Sequence, residues 1–201
     1  MDQEIEILNV TPQTTTSSEL LIAALKLFAK KGYYNTSLTD IAKMAKIKNT
    51  SEIYQHFTNK QVIAAQLYAD IFANLNESID EIWLKNDKPS EQLRGTVDLL
   101  FRLTEDAPDV MRFLLNLKFD EFLPDEKPLH ETPAFCKIYK IIQAGISNGE
   151  IRNIDPMMAY IQFFGIVNAT IQGILAGVLD KKADTYLLST WLAAWNGIVK
   201  K

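Results

Sequence analysis

LLIAALKLFAKKGYYNTSLTDIAKMAKIKNTSEIYQHFTNK, residues 20–60, is the stretch whose reading decides the fold. Its apolar residues recur at spacings of three and four: Leu21, Leu25 and Phe28; Leu38, Ile41 and Ala45; Ile53 and Phe57. Each set forms one stripe along a helix. Capping pairs, in which a polar side chain and an acid or amide three residues on satisfy each other's orphan N–H groups, punctuate the segment. They are Thr16 with Glu19, Ser37 with Asp40, Asn49 with Glu52, and Thr58 with Gln61. The spacing predicts a first helix ending near Lys30, Lys31 and Gly32, a second over Leu38–Ala45, a third over Thr50–Phe57, and a fourth beginning after Thr58.

Working outward, the fourth helix carries its stripe through Val62, Leu67, Tyr68, Ile71, Phe72, Leu75, Ile79 and Trp83. That is too long for a three-helix head to bury, so it joins the head to a second domain. Further helices are expected at 90–104, 109–122, 132–147, 156–179 and 184–200, about nine in all. Pro89, Pro108, Pro124, Pro128, Pro133 and Pro156 fall in polar stretches between apolar-periodic segments, where proline marks a helix boundary. No alternating run flanked by hairpin turn residues is present, so the expected fold is all-α. We divide the chain into a tail (1–17), a three-helix head (18–60) and a larger helical body (61–201), to which the residues discussed below assign ligand binding and dimerisation.

The 201 residues are 47% hydrophobic, enough for a sizeable core. No uninterrupted apolar run long enough to span a bilayer is expected, and the acidic start Met1-Asp2-Gln3-Glu4 is unlike a secretion signal, so the reading is cytoplasmic. One cysteine and two histidines offer no disulfide and no metal cluster; no metal or cofactor is expected. The acidic loop Asp120, Glu121, Asp125 and Glu126, with His130 and Glu131, reads as solvated, and Cys136 as a small buried hydrophobe. Phosphate-cradling and hydrolytic motifs are missing, so an enzyme is not expected.

The net charge of −4 is unevenly placed. Residues 18–60 hold Lys26, Lys30, Lys31, Lys43, Lys46, Lys48 and Lys60 against Glu19, Asp40 and Glu52, a local +4, while the tail carries −3 and the body −5. A basic head on an acidic body suits a protein of which one end meets phosphate. Two short helices joined by a tight turn form a helix-turn-helix, whose second helix enters the major groove of double-stranded DNA. Here Ile47 plugs the turn and Lys46 and Lys48 point outward. Asn49, Thr50, Ser51, Gln55 and His56 offer hydrogen-bonding groups to base edges or phosphates, Tyr54 offers its hydroxyl to a phosphate, and Lys60 adds its charge as a backbone clamp.

The segment AALKLFAKKGYYNTSLTDIAKMAKI, followed by IYQHFTNK, resembles the DNA-binding signature of the TetR family, with Ala24, Phe28, Gly32, Tyr33, Thr36, Ile41, Ala42, Tyr54, His56, Phe57 and Lys60 in matching order. GISNGEIRNIDPMMAYIQFFGIVNATIQGI resembles the family's C-terminal pattern. The resemblance implies a transcription regulator that dimerises through its last two helices and whose grip on an operator changes when a small molecule binds. Two departures concern the turn: Lys46 stands where glycine is usual, and one extra residue lies between Ala45 and Tyr54. Either the lysine adopts a left-handed conformation at a cost of about 1–2 kcal/mol or the extra residue reshapes the turn. No arginine precedes Arg94, so the operator is read through lysine, amides, hydroxyls and DNA shape.

In the body, Gly165, Ala169, Gly173 and Gly177 recur every four residues as a smooth stripe, and Trp191, Trp195 and Ile198 form a bulky stripe on the last helix; both are expected at a homodimer interface, the alternative for the glycines being room for helices of the same subunit or for a ligand. Phe72, Phe113, Tyr139 and Phe164, with Asn116, Gln143 and Asn168 as polar handles, are expected to contact a largely apolar small-molecule effector. The alternative is a dimeric helical module that binds a small molecule or protein and has lost sequence-specific DNA binding through the altered turn.

Overall fold

The structure, a computed structural model, describes residues 15–116, 118–126 and 128–201. In order, the elements are α1 (Thr15–Lys31), α2 (Leu38–Met44), a 3-10 helix (Thr50–Gln55), α3 (Lys60–Lys85), α4 (Pro89–Asp106), α5 (Pro108–Asn116), α6 (Phe119–Phe122), a 3-10 turn (Leu129–Glu131), α7 (Pro133–Ser147), α8 (Pro156–Leu175) and α9 (Ala183–Ile198). Among the described residues there is no strand, only an isolated antiparallel bridge between Ile151 and Val199. Pro89, Pro108, Pro133 and Pro156 each open a helix, where the missing N–H costs nothing and the fixed φ is already helical.

The chain forms two compact units. The first runs to Asn74 and takes in Ala107–Pro128. Within it α1 packs against α2 and α5, and α2 against the first 3-10 helix. Leu20, Leu25, Phe28, Ile41, Ile53, Ile63, Leu67 and Phe113 are fully or almost fully removed from solvent. The head is therefore not closed at residue 60: its three short elements share a core with the first half of α3 and with α5. The second unit comprises Leu75–Asp106 and Leu129–Lys201. There α9 lies on α8 and α4, and α7 on α4 and α8, around Ile79, Phe101 and Phe163.

Two helices of the second unit take their N-terminal caps from distant residues. Lys182, at the head of α9, gives no side-chain cap, and the Ala183 N–H instead donates to the Glu105 carboxylate at 3.0 Å. The Ser90 N–H at the start of α4 donates to the Glu150 carboxylate at 3.2 Å. A carboxylate at a helix N-terminus satisfies an orphan donor and opposes the dipole.

Several expectations are corrected. The segment 109–122 breaks into α5 and α6, and the third helix is 3-10 and stops at Gln55. Thr16 lies inside α1, and its side chain is outside the described residues. The cap of α3 is Asn59, whose Oδ1 accepts from the Val62 N–H at 2.9 Å, not Thr58. Helix α8 ends at Leu175, short of 179, because Gly177 turns left-handed (φ +72°) and the Val178 N–H closes back onto the Gly173 carbonyl. Cys136 is exposed rather than buried. By length and composition α8 is apolar enough to cross a membrane, despite Gln162, Asn168, Thr170 and Gln172; its Ala159, Phe163, Phe164, Val167 and Ile171 are buried in the unit.

Candidate nucleic-acid interface

Helix α1 ends in a left-handed residue, Gly32 (φ +81°), whose N–H donates to the Phe28 carbonyl at 2.9 Å. The buried Thr36 returns its hydroxyl to the Gly32 carbonyl, which fixes the turn into α2. Ser37 and Asp40 form the expected reciprocal cap. Hydrogen bonds from Ser37 hold the Asp40 carboxyl below its ordinary range, helped by Lys31 and Lys43.

The end of α2 decides between the two readings of the turn. Lys46 is the one described non-glycine residue with positive φ, at +58°. Its N–H donates to the Lys43 carbonyl at 3.3 Å, and the Ile47 N–H reaches the Ala42 carbonyl at 2.9 Å. That paired closure is a Schellman motif with lysine in the position glycine favours. The extra residue leaves the left-handed turn in place. Ile47 is half-buried in it, and Lys46 and Lys48 are exposed.

Asn49 caps the 3-10 helix by accepting from the Ser51 N–H at 3.1 Å. Burial of Ile53 and Phe57 sets its rotation. Asn49, Ser51, Tyr54 and Gln55 then face outward, and Thr50 and His56 are half-buried at the edges. Tyr54 is 58% exposed, so its hydroxyl is open to solvent on this surface. Lys43 and Met44, on the last turn of α2, are also exposed beside this surface. Sequence reading left them out, although their position outside the stripe of Ile41 and Ala42 is a signal that was available.

Lys60 takes a different place from the one expected of a phosphate clamp. Its ammonium donates to the carbonyls of Tyr33 and Thr36, both at 2.8 Å, and lies 4.1 Å from the centre of the Tyr33 ring. Burial lowers its pKa from the ordinary lysine value. It pins the turn between α1 and α2 to the start of α3. Tyr33, which receives it, was matched in sequence but given no role.

The residues expected at an effector site fall into both units. In the first, Phe72 and Phe113 are buried with Phe119 between them, at ring separations of 6.5 and 5.2 Å, whereas Asn116 is exposed. In the second, Phe164 is buried against Tyr160 and Phe163, Tyr139 and Asn168 are half-buried, and Gln143 faces solvent. Asn116 and Gln143 are thus not polar handles of an enclosed pocket in their own units.

The residues expected at a dimer interface also divide. Gly165 and Ala169 lie on an open face of α8 together with Met158, Ile161 and Ile166. Gly173 instead makes room for the Leu179 side chain, which a Cβ would meet at 3.2 Å, and Gly177 is the left-handed cap beyond the helix. Trp191 and Trp195 stack on each other at 5.5 Å and Trp191 packs on Phe163, while Ile198 is fully buried in its own chain. On α9 the outward residues are Leu188 and Leu192, 60% and 48% exposed.

Comparison with known proteins agrees with this geometry. Residues 20–67 match the model for bacterial regulatory proteins of the tetR family. The chain is similar to the HTH-type transcriptional repressor NicS of Pseudomonas putida, 25% identical over 188 residues that cover 88% of this chain and 87% of that protein. Its fold is similar to that of a TetR family transcription regulator from Marinobacter aquaeolei, with a TM-score of 0.76 and 17% identity over the whole of both chains. It is also similar to the transcriptional regulator FadR of Bacillus subtilis, solved in complex with stearoyl-CoA, with a TM-score of 0.67 and 20% identity over 90% of this chain and 98% of that one. With the helix-turn-helix intact at Lys46 and the basic, amide-rich surface around it, residues 20–67 of this chain resemble the bacterial regulatory proteins of the tetR family.

Proposed function

We propose that the chain acts in the cytoplasm as a homodimeric repressor whose hold on an operator is modulated by a small, largely apolar effector. The observation that carries the DNA contact is the outward surface around the left-handed turn: Lys43, Lys46, Lys48, Asn49, Ser51, Tyr54 and Gln55 on one exposed face, backed by buried Ile41, Ile53 and Phe57. Lysines supply a charge that any phosphate accepts, and the amides and hydroxyls supply base-edge contacts. Lys60 serves this surface by fixing its frame. The alternative of a module without DNA binding rested on an altered turn, and the turn at Lys46 is formed. Support for repression and for an effector that carries a long apolar chain comes from the relatives, one named as a repressor and one solved with stearoyl-CoA.

The test is a salt titration of binding to DNA from the promoter region of its own gene, with the substitutions Lys43→Gln and Lys48→Gln. Each is expected to weaken binding and to lower the slope of log affinity against log salt by about 0.9, the release of one phosphate's counterions. Lys60→Gln is expected to weaken binding with the slope unchanged. A wild-type protein indifferent to that DNA, or Lys43 and Lys48 variants with the wild-type slope, would overturn the reading.

A further inference from the structure

Helix α4 carries Glu91, Arg94 and Asp98 along one face, three and four residues apart. Within the second unit these side chains border an open groove of about 520 Å³, closed at one end by Asn86 and Ser90 and at the other by Trp191 of α9. Arg94 is held from two directions. Its Nε donates to the Asp98 carboxylate at 2.9 Å, and its guanidinium lies 5.4 Å from the centre of the Trp191 ring. Trp191 is itself stacked on Trp195 at 5.5 Å and set edge-on against Phe163. The guanidinium plane is therefore fixed, while neither Nη has a partner among the described residues. The opposite end of the groove offers acceptors. Asn86 turns its amide nitrogen to the Ile82 carbonyl at 2.9 Å, and its Oδ1 has no partner among the described residues. Glu91 meets only a loose, solvent-exposed pairing with Lys88 at 3.6 Å among those residues.

We propose that this groove binds a small zwitterion of the amino-acid type, with its carboxylate on the Arg94 guanidinium and its ammonium on the Glu91 carboxylate and the Asn86 oxygen. The inventory of donors and acceptors carries the assignment. A fixed guanidinium with two unpartnered nitrogens matches a carboxylate bidentately, and since Trp191 has already ordered the side chain, little rotamer freedom remains to be lost. A dianion such as phosphate would meet the same arginine flanked by two carboxylates, whose repulsion opposes it. A cationic group on the ligand turns that repulsion into attraction at Glu91, where the exposed lysine pair is weak enough to be displaced. Three residues of helix, about 4.5 Å of rise, separate Glu91 from Arg94, a span that the two charges of an amino acid bridge. The groove's volume lies within the roughly 300–1,000 Å³ of small-molecule sites. It shares no residue with the DNA-reading surface or with the residues expected to meet an apolar effector, so the proposal goes beyond the repressor reading and stands without it.

The test is calorimetric titration of the full-length protein with glycine, L-valine, L-glutamine and L-phenylalanine. At least one is expected to bind saturably, with a Kd on the order of 1 mM or tighter. The tightest binder is then compared with its N-acetyl form, which lacks the ammonium, and with its amide, which lacks the carboxylate. Each is expected to bind about tenfold more weakly. Arg94→Gln is expected to weaken binding about tenfold, and Arg94→Lys by a comparable factor, since lysine keeps the charge without the planar fork. Glu91→Gln is expected to weaken the free amino acid about fivefold and to leave its N-acetyl form unaffected. Should Arg94→Gln fail to fold, Glu91→Gln and the two derivatives decide alone. No saturable heat from any of the four amino acids, an unchanged affinity in Arg94→Gln, or an N-acetyl form or inorganic phosphate that binds as tightly as the free amino acid would overturn the proposal. None of these readouts involves DNA, so its failure leaves the regulator reading standing.

Discussion

Lys46 holds a conformation that costs a side-chain-bearing residue about 1–2 kcal/mol, and it does so where a Schellman closure gives glycine the advantage. The lysine is exposed. Lys46→Gly is therefore expected to raise stability by about 1 kcal/mol, measured by denaturant unfolding, while weakening DNA binding through the lost charge. A variant that is less stable than wild type would show that the turn is not strained. The residue scale also shows what a sequence conceals. Ser37 and Asp40 were readable because a cap and its partner lie three residues apart. Lys60 was not, since its acceptors belong to Tyr33 and Thr36, and nothing local distinguishes a lysine that binds carbonyls from one that awaits a phosphate.

Among the elements, α8 carries Tyr160 between Phe135 and Phe164, at ring separations of 4.6 and 4.8 Å. Burial there pushes the phenol from an ordinary 10.0 up to about 12. The fold thus prefers the neutral ring. This contribution is fully present below pH 10.0 and is lost as the pH rises toward about 12. The stability difference between wild type and Tyr160→Phe, followed by chemical unfolding, is expected to move against wild type across that window. A difference constant with pH would mean that the phenol is not held neutral by the fold. Element boundaries were legible wherever a proline or a capping pair stood. The break between α5 and α6 was not, because Met111, Phe113, Leu114, Leu115, Phe119 and Phe122 continue an apolar rhythm across it without a glycine or proline.

At the scale of the whole molecule, α8 has no charged residue from Pro156 to Leu175, yet it leaves Met158, Ile161, Gly165, Ile166 and Ala169 open, and α9 does the same with Leu188 and Leu192. On the homodimer proposed above, this face is where a second copy of the chain is expected to pack across a twofold axis. Ile161→Glu is expected to yield monomers by sedimentation and to abolish tight operator binding, with helicity retained. A dimer that persists would place the interface elsewhere. Periodicity had revealed that α8 and α9 each carry a stripe. It placed Ile198 with Trp191 and Trp195 at the partner, however, although Ile198 is fully buried in its own chain, because a helix sequence does not tell which apolar side its own chain covers.

The borrowed caps bear on how the second unit assembles. The first turn of α9 is completed by Glu105, 78 residues earlier, and that of α4 by Glu150, 60 residues later. Neither helix end is finished until a distant strand of the chain has arrived, which ties the two docking events together and favours one concerted closure over helix-by-helix growth. A fragment cut between α4 and α7 would leave both ends frayed, so this unit is expected to open and close as one cooperative piece.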